Sequence, residues 1–155
     1  MQRDVAPILI ADDDADDAEA LKGIIREAGI SNPLRITATG QGTIEYLSGQ
    51  GEFEDRARYP YPAFLFLDLI MPGESGMDVL RWIRQHPEPE HRLLGIVVVT
   101  GLGNFAQIRD AYRLGAHSFL AKPVSKEAFM NLVYGLKGIH VDLAAGGRQL
   151  HFDLD

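Results

Sequence analysis

The stretch ADDDADD, residues 11–17, places five aspartates within six positions directly after the apolar run ILIA. Carboxylates a few Å apart repel each other by roughly 4 kcal/mol per close pair at an effective dielectric near 20. Where several of these carboxylates converge, a cation must therefore lie between them. Asp12 and Asp13 come directly after the apolar run, so we predict that they form a cation site. Mg²⁺ is favoured because it binds a few carboxylates together with water and phosphate oxygens.

Polar residues also stand at the ends of three further apolar runs. Asp68 ends FLFLD, Thr100 ends GIVVVT and Lys122 follows HSFLA. If these runs are parallel strands, their carboxyl ends meet at one edge of a sheet, and ligands bind in the crevice there. We therefore expect these side chains to converge with the acidic pair, where Lys122 offsets one negative charge and the metal offsets the rest.

The other three aspartates of the cluster, Asp14, Asp16 and Asp17, fall at the beginning of a helical segment. Exposed amide N–H groups and the positive end of the helix dipole favour carboxylates at that place. We interpret these residues as a helix cap and a solvated first turn.

The elements that position these residues alternate along the chain. Short apolar, β-branched runs predict strands, and the segments of helical period between them predict helices. The predicted strands are 5–11, 34–39, 64–68, 95–100 and 117–121, and the predicted helices are 14–28, 42–47, 76–86, 104–114 and 125–138. These units predict an α/β protein, a flavodoxin-like (βα)5 doubly wound parallel sheet with strand order 2-1-3-4-5.

Composition narrows the class of protein. The 155 residues suit one domain, which we place at 1–138. The net charge of −7, with scattered Lys and Arg, argues against nucleic-acid binding. No apolar stretch reaches the ~18 residues of a membrane span, so we expect a cytoplasmic protein that has no contact with a membrane. The absence of cysteine excludes disulfides and thiolate chemistry.

The tail, residues 139–155, alternates apolar and polar residues in IHVDL and QLHFDL around AAGGR. This pattern predicts a hairpin, and the alternative is a loosely packed terminus. A hairpin arm with an uncovered apolar face would pair with a second copy and form a homodimer. The residues of that face are Ile139, Val141, Leu143, Leu150, Phe152 and Leu154.

Four motifs of this chain together resemble the receiver domain of bacterial two-component response regulators. They are ILIADDDADD, FLFLDLIMPGESG, VVVTG and FLAKPV, each at the end of a predicted strand. The similarity extends from residue 5 to about residue 138, and 17 residues follow. The chain is therefore most similar to stand-alone regulators, and in particular to the phytochrome-associated subgroup.

The resemblance implies that Asp68 is a phosphoacceptor, which takes a phosphoryl group from a sensor histidine kinase, phytochrome-type in this subgroup, or from a phosphotransfer protein. It also implies that Asp13, Asp68 and the backbone carbonyl of Ile70 ligate Mg²⁺, with Asp12 acting partly through metal-bound water. Lys122 would bond a phosphoryl oxygen. Such a protein is not an enzyme that acts on external substrates.

The same resemblance implies a switch at Thr100 and Phe119. Thr100 would turn towards the phosphoryl group, and Phe119 would turn inward behind it. This movement would change the surface of the fourth helix, fifth strand and fifth helix, which would bind partners or a second copy. The alternative for Phe119 is an ordinary core position in the alternating strand HSFLA.

Two positions depart from many members of the family. Ile70 lies two residues beyond Asp68, and Leu102 lies two beyond Thr100. Both are apolar where many relatives carry polar groups that orient an attacking water. We therefore predict a long-lived aspartyl phosphate.

Three other functions stay open at this point. A metal-dependent phosphohydrolase also uses an aspartyl phosphate, but its nucleophile follows the first strand, with a second acid two residues later. A flavin- or nucleotide-binding module would carry Gly, Ser or Thr after the first strand. A degenerate receiver would act as a constitutive binding module.

Overall fold

The computed structural model describes residues 6–101, 105–144 and 146–154. Its strands are β1 (Ile8–Ala11), β2 (Leu34–Thr37), β3 (Phe64–Asp68), β4 (Gly95–Gly101), β5 (Ser118–Lys122), β6 (Ile139–Ala144) and β7 (Gly147–Phe152). Its α-helices are α1 (Ala15–Glu27), α2 (Gly40–Ser48), α3 (Gly76–Gln85), α4 (Phe105–Arg113) and α5 (Lys126–Gly135). Among these residues, no helix has the length and apolar character needed to cross a membrane.

Strands β1 to β5 form one parallel sheet in the order β2-β1-β3-β4-β5. The predicted flavodoxin-like α/β fold is therefore confirmed. The strand order reverses between β1 and β3, so a crevice opens beyond the carboxyl ends of these two strands. Ala11 at the end of β1 pairs with Leu67 in β3, which places the residues that follow β1 beside the end of β3.

The sheet is buried on both faces, because its side chains alternate between two hydrophobic cores. In β1, Ile8 and Ile10 pack with residues of α1 and α5. Leu9 and Ala11 pack instead with residues of α2, α3 and α4. Runs that are apolar throughout, such as ILIA, are typical of parallel strands covered by helices on both sides.

The tail forms the predicted hairpin, in which β6 and β7 pair antiparallel. Leu150 and Phe152 are only 3% and 2% exposed and belong to the core beneath α1 and α5. Asn32 binds the hairpin to the chain before β2. Its amide donates to the Leu150 carbonyl at 3.0 Å, and its Oδ1 accepts the Leu150 N–H at 2.7 Å.

This packing corrects two expectations about the tail. The predicted boundary after residue 138 divides one hydrophobic core, so residues 139–154 are not a separate arm. Four of the apolar residues predicted to contact a second copy pack on their own chain, namely Ile139, Val141, Leu150 and Phe152. The physical reason is that Phe64 and Gly95, at the beginnings of β3 and β4, present apolar surface close to the Phe152 ring. Leu143 and Leu154 stay exposed.

Candidate functional site

Three carboxylates gather where β1 and β3 end. Asp12 and Asp13 follow β1, Asp68 is the last residue of β3, and one oxygen of each lies within 4.8 Å of the others. Asp12 and Asp68 are each 6% exposed, whereas Asp13 is exposed. The cluster is thus buried on one side and open to solvent on the other.

Local backbone contacts orient these carboxylates. Oδ1 of Asp68 accepts the N–H of Ile70 at 3.0 Å, and Oδ1 of Asp12 accepts the N–H of Asp14 at 2.9 Å. Gly76, the first residue of α3, lies against the backbone carbonyl of Asp68, where a Cβ would overlap it. The turn after each strand therefore holds the side chain that the strand delivers to the crevice.

Lys122, the last residue of β5, faces the carboxylates. Its Nζ lies 2.8 Å from Oδ2 of Asp12 and 3.0 Å from Oδ2 of both Asp17 and Asp68. Burial lowers the pKa of the ammonium, but the hydrogen bonds with these carboxylates outweigh burial and raise the pKa above its usual value. Burial raises the pKa of Asp68, although the Ile70 N–H and Lys122 act in the opposite direction. The pocket keeps an excess of negative charge around one ammonium.

The two residues assigned to the switch lie on neighbouring strands. Thr100 in β4 is 1% exposed and pairs with Ala121, the residue before Lys122. Phe119 in β5 is 38% exposed, whereas Leu120 beside it is 4% exposed and packs in the core. The alternative interpretation of Phe119 as an ordinary core residue therefore does not hold for this conformation.

Ile70 and Leu102 are the two apolar positions on which the predicted long lifetime of the aspartyl phosphate depends. The side chain of Ile70 is 62% exposed, and its backbone N–H binds the Asp68 carboxylate. Leu102 lies outside the described residues.

The helix-start aspartates follow the prediction only in part. Asp14 caps α1, because its Oδ1 accepts the N–H groups of Asp16 and Asp17 at 2.9 and 3.1 Å. The side chain of Asp17, predicted to be solvated, instead accepts a hydrogen bond from Lys122 Nζ at 3.0 Å. Sequence reasoning missed this contact because the helix dipole already accounted for the charge.

The arrangement of donors suits a hard divalent cation. Asp12, Asp13 and Asp68 offer carboxylate oxygens close enough for one ion to bind all three. Ions such as Mg²⁺ and Mn²⁺ prefer carboxylate and carbonyl oxygens. Lys122 offsets only part of the negative charge, so the pocket retains the electrostatic attraction that a cation needs.

Comparison with known proteins identifies the class of protein that has this fold and this pocket. Residues 8–134 match the family model of the response regulator receiver domain, and the chain belongs to this family. It is similar to response regulator Rcp1 from Synechocystis sp., with 26% identity over 135 residues that cover 87% of this chain and 88% of Rcp1.

Two solved structures extend this comparison. The bacteriophytochrome response regulator RtBRR has a TM-score of 0.78 and 27% identity, covering 91% of this chain and 82% of RtBRR. The Mn²⁺-bound form of Rcp1 has a TM-score of 0.71 and 26% identity, covering 87% and 97%. The predicted resemblance to receivers is confirmed, and the alignments run through most of both chains, in agreement with the predicted phytochrome-associated, stand-alone group. The family match decides against the phosphohydrolase and the flavin-binding module.

Proposed function

We propose that this protein is the phosphoacceptor of a two-component phosphorelay and that Asp68 accepts the phosphoryl group. The observation that carries the proposal is the position of the Asp68 carboxylate. It is buried at the carboxyl end of β3, 3.0 Å from the Lys122 ammonium and within 4.8 Å of Asp12 and Asp13. A sensor histidine kinase, phytochrome-type by analogy with the names of the relatives, or a phosphotransfer protein supplies the group. The two proteins would meet in the cytoplasm.

Transfer requires nucleophilic attack by the Asp68 carboxylate on phosphorus. A P–O bond forms and the P–N bond of the donor phosphohistidine breaks. The electron pair returns to the imidazole nitrogen, and the ring, protonated at its other nitrogen, leaves neutral. The Ile70 N–H holds Oδ1 of the carboxylate, which limits its rotation. Lys122 stands beside Oδ2 and donates to a phosphoryl oxygen after transfer.

We assign the divalent cation to Mg²⁺. Asp13, Asp68 and the backbone carbonyl of Ile70 would hold it, with Asp12 acting partly through water. When bound, Mg²⁺ neutralises charge on the phosphoryl oxygens and on the surrounding carboxylates.

Signalling follows from a change of protein–protein contacts. Thr100 donates its hydroxyl to the phosphoryl group, and Phe119 moves from the surface of β5 towards the space behind Thr100. The α4–β5–α5 surface, which also exposes Tyr112 and Tyr134, then presents a different shape to partners. The chemistry is confined to the chain's own aspartate, so we propose no activity on external substrates.

Intact mass after incubation with acetyl phosphate and Mg²⁺ tests the assignment. We expect the wild type to gain the mass of one phosphoryl group and Asp68→Asn to gain none. Asp110→Asn, which removes an exposed carboxylate on α4, should behave like the wild type. Chelation of the metal should suppress the gain. Equal modification of the Asp68→Asn variant would contradict the phosphoacceptor assignment, and no gain in the wild type from any donor would favour a degenerate receiver.

We also propose that the protein forms a homodimer, although fewer residues of the tail are exposed for a second copy than the sequence predicted. Exposed Leu143, at 85%, and Leu154, at 49%, are the apolar residues that the hairpin leaves for a second copy. The α4–β5–α5 surface is the other candidate. Light scattering of the wild type and Leu143→Asp, each with and without acetyl phosphate, distinguishes the two. A dimer lost only in Leu143→Asp points to the hairpin, and a dimer gained only on phosphorylation points to the switch surface.

A further inference from the structure

The Lys122 ammonium is held by carboxylates from three different elements. Asp12 follows β1, Asp68 ends β3 and Asp17 lies in the first turn of α1, at 2.8, 3.0 and 3.0 Å from Nζ. A lysine ammonium has three N–H donors. The three carboxylates therefore engage all of them. The proposed function gives a task to Asp12 and Asp68, and it leaves Asp17 without one.

The three partners of Lys122 differ in how easily they can be released. The side chains of Asp12 and Asp68 are 6% and 9% exposed, so either would stay in the pocket as a poorly solvated charge. Loss of a partner by a buried charge costs far more than loss by an exposed one. Asp17 is 46% exposed and can exchange Lys122 for water. It is the partner that Lys122 gives up at the lowest cost.

Helix capping does not explain why Asp17 faces Lys122. The side chain of Asp14 already serves as the N-cap of α1. Asp16 also lies in the first turn and gains the same benefit from the helix dipole. The direction of the Asp17 side chain is therefore a feature of the pocket rather than of the helix end.

We propose that Asp17 is a positioning residue that occupies one donor of Lys122 in the unphosphorylated protein and yields it to a phosphoryl oxygen on Asp68. The inference rests on the proposed function. Phosphorylation then breaks the ion pair between the first turn of α1 and the end of β5. Release of Asp17 offsets part of the free energy gained from the Lys122–phosphoryl contact. Asp17 therefore biases the switch towards its unphosphorylated state.

Affinity for beryllofluoride, a stable mimic of a phosphoryl group on a carboxylate, tests this bias. We compare the wild type, Asp17→Asn and Asp16→Asn in the presence of Mg²⁺, following the bound fluoride by ¹⁹F NMR. The free energy of a partly exposed ion pair predicts that Asp17→Asn binds about two- to fivefold more tightly than the wild type. Asp16→Asn removes the same charge from the same helical turn. Moderate salt screens its longer-range effect, so its affinity should match the wild type.

Urea unfolding of the three proteins shows whether a change in affinity reflects a change in stability. A purely structural role for Asp17 would alter unfolding and leave the beryllofluoride affinity equal to that of Asp16→Asn. Affinity in Asp17→Asn that is no tighter than in the wild type would overturn the inference and leave the phosphoacceptor assignment intact. A wild type that binds no beryllofluoride and accepts no phosphoryl group would overturn the assignment and the inference together.

Discussion

Replacement of Phe152 by alanine tests whether the C-terminal hairpin belongs to the folding unit of the receiver. Phe152 is 2% exposed, and its ring centroid lies 4.4 Å from that of His117 and 5.9 Å from that of Phe64. The ring also lies close to Gly95 and Gly138. Its removal leaves a cavity at the amino-terminal end of the sheet, because Phe64 in β3, Gly95 in β4 and His117 just before β5 pack around it.

The expected magnitude follows from this burial. Truncation of a buried phenylalanine to alanine costs about 3–5 kcal/mol. With a dependence on urea of about 2 kcal/mol per M, the midpoint of unfolding should fall by about 1.5–2.5 M. Stabilities of single domains are of order 5–15 kcal/mol, so the variant should fold but lose much of its margin.

Urea denaturation followed by far-UV circular dichroism measures the loss. Leu143→Ala is the matched control, since it truncates a residue of the same hairpin that is 85% exposed. The control should change the free energy of unfolding by less than about 0.5 kcal/mol. If Phe152→Ala proves as stable as Leu143→Ala, the packing of the tail on the core is wrong, and residues 1–138 form the folding unit by themselves.

Three further predictions address the site and the fold. Ile70→Asn places a polar group beside Asp68 that can orient an attacking water. The phosphorylated form should then decay roughly ten times faster or more, as measured by intact mass over time, and an unchanged lifetime would count against the prediction. Burial lowers the pKa of His117 in the folded state, so stability is retained above the unfolded value near 6.5 and lost as pH falls below it. His117 Nδ1 accepts the Ile96 N–H at 3.0 Å, and the side-chain oxygen of His117→Asn can accept the same hydrogen bond. This variant should therefore show a shallower loss of stability in urea titrations between about pH 7 and 5. Gly40→Ala should lower the free energy of unfolding by about 1–3 kcal/mol, because the added Cβ would overlap the Glu74 carbonyl. Gly23→Ala adds a Cβ in open space on α1 and should raise the free energy of unfolding by up to about 1 kcal/mol. Equal effects of the two substitutions in urea unfolding would contradict the packing at Gly40.

Local sequence pattern determined the fold and most of the pocket. Runs such as ILIA and FLFLD are apolar at every position, which only a strand covered on both faces can bury, and the helical segments between them leave a doubly wound parallel sheet. In that topology the residue that ends each strand has one location, at the crevice. The sequence alone therefore predicts that Asp12, Asp13, Asp68 and Lys122 lie together.

The tertiary structure was needed wherever two different contacts could account for the same residue. The helix dipole and Lys122 both attract the Asp17 carboxylate, and only the distance between α1 and β5 shows that the lysine is its partner. The alternation of β5 separates Phe119 from Leu120, but the packing of α5 determines which of them is buried. The alternation of the tail likewise predicted an apolar face without showing what covers it. Phe64 and Gly95 lie near enough to bury Phe152 within the same chain. Packing within one chain avoids the loss of translational and rotational freedom that association with a second molecule costs.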